Sequence, residues 1–200
     1  MAAAVTGVTP EYGLHIEENR KGSILVKVEA SIKDEFDYSL LGWYIGELVG
    51  NKIPVFTGMP KELTPEAHRN LGAELNTSGA VSLYHIVGVT PEAKTLDMAL
   101  GDLHTKEIAV TDDDLERTHR KISAKGGSIN SAFMGCPHST LREVRDIANL
   151  LKGRELHRDT TLWICTSSHV RELARRSGHL QEIEKAGGHV VGDTCMDEPC

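Results

Sequence analysis

Aromatic side chains are scarce in this sequence, at 4% of residues, and positive charge is in deficit: 22 Lys and Arg face 29 Asp and Glu, a formal net charge of -7. A nucleic-acid surface needs clustered cations and stacking rings, so nucleic acid is not an expected partner. No run approaches the ~20 apolar residues that span a bilayer. The opening MAAAVTGVTPEYG also lacks the basic and sustained apolar stretches of a secretory signal. No membrane partner is expected, and the expected compartment is the cytoplasm. Low-complexity segments are absent, and the TPE triplets at Thr9, Thr64 and Thr90 read as helix starts with proline at the first position, not as a repeat.

Cysteine is also sparse, at 136, 165, 195 and 200, with no C-x-x-C and no H-E-x-x-H. Without export signals, disulfides are not expected, which leaves structural thiols, a metal site or catalysis.

What is present is a globular composition, 40% hydrophobic and 26% charged over 200 residues, enough for one large domain or two small ones. In GSILVKVEASI, Ile24, Val26, Val28 and Ala30 alternate with Lys27 and Glu29, the period of a half-buried strand. Phe36, Leu40, Tyr44 and Leu48 form a helical stripe, IPVF reads as a strand, Thr64 and Pro65 open a helix, and AVSLYHIVGV reads as a strand. An irregular stretch over 93–106 precedes EIAV and a capping box of Thr111 with Asp114. SINSAFMGC, a helix over 140–152, TLWICTS, a helix over 168–186 and HVVGD then spell βαβαβ. The expected fold is α/β, with mostly parallel sheets flanked by helices. A division near residue 102 gives subdomains 1–102 and 103–200, the first expected to be incomplete at its start and the second truncated at its end.

This topology puts Cys136, Cys165 and Cys195 near the carboxyl ends of successive parallel strands, the edge where open α/β sheets bind ligands. Cys165, between Ile164 and Thr166 and next but one to Trp163, reads as a core thiol. Cys136, His138 and Ser139 lie between the strand and a helix opened by the T-x-x-E box of Thr140 and Glu143. A helix N-terminus favours a thiolate or an anionic ligand, although an ordinary strand-to-helix turn shows the same residues. Cys195 in GDTC, with Cys200 five residues on, is a weak metal signal by itself. His85, inside its strand, reads as a core histidine.

TPEYGLHIEENR, TSGAVSLYHIVGVTPEA, GCPHSTLREV, LWICTSS and GDTCM follow one another along essentially the whole chain. In that order they resemble the catalytic part of aconitase X, a branch of the aconitase superfamily. The resemblance implies a hydro-lyase whose iron-sulfur cluster acts as Lewis acid on a hydroxy acid substrate. It makes Cys195 the first cluster ligand, with Cys136 the second or else a lining residue of the substrate pocket; Cys200 stays open. Tyr12, Gly13 and His15 would hold substrate, and His138 with Ser139 would orient its carboxylate, His138 also being the candidate catalytic group. The family implies a separate swivel domain or small subunit as partner, and further segments that carry the third ligand and the catalytic base.

Two substrates are associated with the family, cis-3-hydroxy-L-proline and mevalonate 5-phosphate. The loops GCPHST, CTSSH and GDTCMDEPC contain no Lys or Arg, which tilts the expectation toward hydroxyproline. A non-catalytic α/β interaction module that buries its cysteines is the reading from another class, and a thiol enzyme using Cys136 beside His138 is a weaker third. Taken alone, these 200 residues are expected to hold no stable cluster and to show no turnover; dehydratase activity from this chain by itself would refute that expectation.

Overall fold

Parallel strands require crossover connections, and helices supply them throughout. The computed structural model describes residues 2–101 and 106–195. A short helix α1 (Ala2–Thr6) and two 3-10 turns (Gly13–His15 and Glu17–Arg20) lead into β1 (Ile24–Val28). There follow α2 (Glu35–Val49), β2 (Pro54–Thr57), α3 (Pro65–Gly79), β3 (His85–Ile86), α4 (Leu96–Ala99), β4 (Lys106–Val110) and α5 (Asp112–Ile122). The four strands pair in parallel in the order β3-β2-β1-β4. A second sheet, also parallel, has the order β5-β6-β7, built from β5 (Ser131–Ser139), α6 (Leu141–Leu151), β6 (Thr161–Thr166), α7 (Ser168–Arg176), α8 (His179–Lys185) and β7 (Gly188–Gly192). Each sheet belongs to its own unit, Met1–Ser123 and Ala124–Cys200.

Local chemistry starts the helices where the sequence indicates. The Asp34 carboxylate accepts from the N–H groups of Phe36 and Asp37 at 2.9 and 3.2 Å, opening α2. The Thr64 hydroxyl accepts from Ala67 N–H at 3.1 Å, with Pro65 at the first position of α3. Thr140 and Glu143 form the reciprocal box that opens α6, at 2.8 and 3.3 Å.

The core of the first unit packs Val26, Phe56, Ile86 and Val110 against Leu41 and Ile45 of α2 and Leu71 and Leu75 of α3. Val55 alternates with Phe56 and so faces the other way, where Ala93, Ala99 and Leu96 cover it. Leu25 is buried as well, so β1 is covered on both faces over its first half instead of being half-buried; Lys27 pairs with Glu107 of the adjacent β4 at 2.6 Å. In the second unit Val144 and Ile147 of α6, Ala174 of α7 and Leu180 and Ile183 of α8 close over Leu162, Ile164 and Val190.

Three further expectations are corrected. The apolar run AVSLYHIVGV pairs only at His85–Ile86, because Thr90 turns the chain back by hydrogen-bonding the backbone of Ile86. The helix over 168–186 is two helices, broken where Gly178 takes a φ of +82°. The expected division at residue 102 falls beside residues outside the described set. Beyond it β4 pairs with β1 and α5 packs on α2, so the first unit runs on to Ser123. Among the described residues no helix is long and apolar enough to cross a membrane.

Two features of the first unit yield predictions. Helices α2 and α3 meet through glycine, and a Cβ on Gly79 would stand 2.2 Å from the Gly46 carbonyl oxygen. Gly79→Ala is expected to force the pair apart and lower unfolding stability by about 1–3 kcal/mol, read from the urea midpoint. At the start of α5, the Asp114 carboxylate accepts from Thr111 N–H and hydroxyl at 2.9 and 2.7 Å and from the Tyr44 hydroxyl at 3.0 Å, and it pairs with Arg117. Burial pushes its pKa up, but these donors outweigh that and hold it below the ordinary carboxylate value. The stabilisation is therefore complete above the unfolded value of about 3.9 and is lost as pH falls toward the folded one. Asp114→Asn should cost about 2 kcal/mol near neutrality and flatten the acid limb of the stability curve.

Candidate functional site

The register of the second sheet shapes the candidate site. β5 pairs with β6 from Ser131↔Thr161 to Met134↔Ile164, and then the register shifts so that Ser139 lies opposite Thr166. Gly135, Cys136, Pro137 and His138 thus stand against Cys165 alone, and the surplus backbone is pushed out as a bulge. Gly135 has a φ of +107°, and a Cβ there would lie 2.1 Å from the Cys165 carbonyl oxygen, so only glycine fits. The Cys136–Pro137 peptide is cis. Cys136 and His138 emerge exposed on the bulge, whereas Cys165, at 1% exposure, is the core thiol expected of it.

Side-chain and backbone bonds tie the three strand ends together. The buried Thr166 hydroxyl donates to the Ser139 carbonyl at 2.6 Å. Asp193 N–H donates to the Thr166 carbonyl at 2.9 Å, and the Asp193 carboxylate accepts from Ser168 N–H at 2.8 Å at the head of α7. The Ser168 N–H and hydroxyl, with lesser help from His169 and His138, hold the Asp193 carboxyl below the usual range. His138 completes the set: its Nε2–H donates to the Thr194 carbonyl at 2.8 Å, since a carbonyl can only accept. Cys195, exposed, is the next residue.

The structure thus brings Cys136, His138 and Cys195 to one edge, on segments joined by the His138–Thr194 bond. Ser139 is close in sequence but buried, and its carbonyl serves the joint with β6. Tyr12, Gly13 and His15 lie in the first unit, where Gly13–His15 is a 3-10 turn; Tyr12 is 78% exposed and His15 is exposed. His85 is buried and donates its Nε2–H to the Arg20 carbonyl at 2.6 Å, as a core histidine should. Cys200 lies outside the described residues.

Two exposed thiols are suitable donors for the iron of a cluster. Among the described residues, no group of three or more His, Cys, Asp or Glu could hold a metal ion. Any cluster on Cys136 and Cys195 would therefore need further donors.

Sequence reasoning missed Thr166, Asp193 and Arg171. The hydroxyl-rich CTSS after a strand and the Asp of GD were visible signals for the first two. Arg171 gave none, lying inside α7, yet its Nε donates to the Val190 carbonyl at 2.9 Å. It lines a cavity of about 570 Å³ together with Ser168, Glu172 and Thr194. The Glu172 carboxylate is held at about 2 by hydrogen bonds from Arg175 and Arg176.

Residues 22–120 match the aconitase X second domain and residues 129–200 the aconitase X third domain. The phosphomevalonate dehydratase large subunit of Thermococcus kodakarensis is 38% identical over 98% of this chain and 50% of its own length. The cis-3-hydroxy-L-proline dehydratase of Hypocrea jecorina is 35% identical, covering 96% of this chain and 33% of its own. A crystal structure of Thermococcus kodakaraensis aconitase X in its holo form gives a TM-score of 0.83 at 38% identity, covering 97% of this chain and 49% of that one. The chain spans about half the length, or less, of these relatives. Sequence, domain order and fold agree over both units, and the chain belongs to the aconitase X family.

Proposed function

We propose that this chain is part of the large subunit of an aconitase X hydro-lyase and that its substrate is mevalonate 5-phosphate. The observation that carries the reading is the exposed edge of the second sheet, where Cys136 and Cys195 sit on segments locked together by His138 and Thr194. The two thiolates would hold part of an iron-sulfur cluster, with remaining donors from elsewhere in the assembly. Such a cluster, when bound, supplies a Lewis-acidic iron for the substrate's carboxylate and departing hydroxyl.

The chain's own residues do the rest. His138, held by Thr194, orients the substrate at that edge, and Tyr12 and His15 are the substrate-binding candidates of the first unit. A small subunit is the expected partner, in keeping with the relative named as a large subunit.

The sequence tilted toward hydroxyproline because the motif loops lack Lys and Arg. Arg171 changes that balance. It reaches the cavity beside Thr194 from one turn inside α7, and the neighbouring Glu172 charge is already matched by two arginines. With Nε on the Val190 carbonyl, its terminal nitrogens are the donors for a phosphate. The identity to the phosphomevalonate enzyme, 38% against 35% for the hydroxyproline enzyme, supports the same choice. Hydroxyproline remains the second reading, favoured by the uncharged loops.

The full-length protein, assembled with its small subunit and reconstituted anaerobically with iron and sulfide, should dehydrate mevalonate 5-phosphate, and Cys195→Ala should abolish both the cluster absorbance and turnover. Arg171→Gln should raise KM for the phosphorylated substrate about tenfold or more, the value of a lost charge-assisted hydrogen bond. Turnover of hydroxyproline instead, unaffected by Arg171→Gln, would select the second reading. A protein that binds no iron would leave the non-catalytic module.

A further inference from the structure

Two motifs distant in the chain meet in the first unit. The Arg20 guanidinium, from TPEYGLHIEENR, grips the Glu92 carboxylate, from VTPEA, through both Nε, at 2.7 Å, and a terminal nitrogen. Its other terminal nitrogen donates to the Leu14 carbonyl at 2.9 Å. Asn19 donates from Nδ2 to the Gly13 carbonyl, also at 2.9 Å. The Arg20 backbone is fixed in turn by the buried His85, whose Nε2–H meets its carbonyl at 2.6 Å. Beside the ion pair lies a cavity of about 280 Å³, lined by Arg20, Lys21, His85 and Glu92 among others.

Every one of these bonds ends on the backbone of the turn that carries Tyr12 and His15, or on the group that holds it. The turn needs them. A single 3-10 turn of three residues is marginal alone. Tyr12 and His15 are exposed, with no side-chain hydrogen bond of their own among the described residues, so their direction is set by the main chain.

We propose that the Arg20–Glu92 pair positions the substrate-binding turn, fixing the Leu14 carbonyl and thereby the direction in which Tyr12 and His15 project. Arg20 and Glu92 are positioning residues, and the inference rests on the reading of Tyr12 and His15 as substrate-binding. An exposed ion pair contributes little by itself to stability. A fork that grips a carboxylate with one edge and a carbonyl with another is instead a device of geometry. The hydrogen bond between the partners lowers the Glu92 pKa and raises that of Arg20, so both stay charged through the neutral range. Lysine supplies the charge but not the fork.

The test uses the full-length protein with its small subunit, as wild type, Glu92→Gln and Arg20→Lys. Amide exchange at His15 and Ile16, whose N–H groups close the turn onto Tyr12 and Gly13, should quicken in both variants while Tm and exchange elsewhere stay put. kcat/KM should fall about tenfold, carried mainly by KM. Unchanged exchange at those amides, or Arg20→Lys indistinguishable from wild type, would overturn the proposal. Faster exchange with unaltered KM would also overturn it, but through its premise, by removing Tyr12 and His15 from the substrate. Exchange is read without turnover, so an enzyme inactive on both candidate substrates would defeat the proposed function separately.

Discussion

At Gly135 one backbone passes another with no space for a side chain, and the candidate site depends on that passage. A Cβ would sit 2.1 Å from the Cys165 carbonyl oxygen, so any other residue would push β5 away from β6. The bulge then could not present Cys136 and His138, the Thr166 hydroxyl would lose the Ser139 carbonyl, and His138 would lose Thr194. A contact between two main chains thus governs where a thiol and an imidazole appear on the surface.

The two kinds of holding force are kept apart in each unit. Apolar packing, Val144, Ile164 and Ile183 in one unit and Leu41, Phe56 and Leu71 in the other, joins helices to sheets without regard to exact direction. Direction comes from hydrogen bonds at the ends of elements: Asp193 on Ser168, His138 on Thr194, Arg20 on Leu14. The residues offered as site residues all lie beside bonds of the second kind. That is where an active site needs to be precise and where the bulk core gives no guidance.

Much of the fold was legible because periodicity and caps are local. Thr64 with Pro65, and Thr140 with Glu143, mark helix starts within a few residues, and the βαβαβ pattern of the second unit fixed a parallel sheet. What was illegible depends on a particular hydrogen bond or on partners far along the chain. The run around His85 has the composition of a strand, but Thr90 turns it back after two residues. The first unit continues past residue 102 because β4 finds β1, a pairing no local window contains. In the site, the motif residues could be named from resemblance, and Cys136 and Cys195 are exposed. Ser139 turned inward, because a strand's last residue serves its neighbour as readily as a ligand. Arg171, in the middle of a polar helix, looked like any solvated cation.

The Arg20–Glu92 grip joins residues 72 apart in sequence, and the His85 bond to Arg20 spans 65. Contacts of such separation form only after the chain between them has been brought into place. During synthesis the first motif emerges long before the residues that will hold it, so it has no fixed shape of its own until β1, β2 and β3 have paired. Its letters come early, but its geometry waits for a partner 72 positions further on.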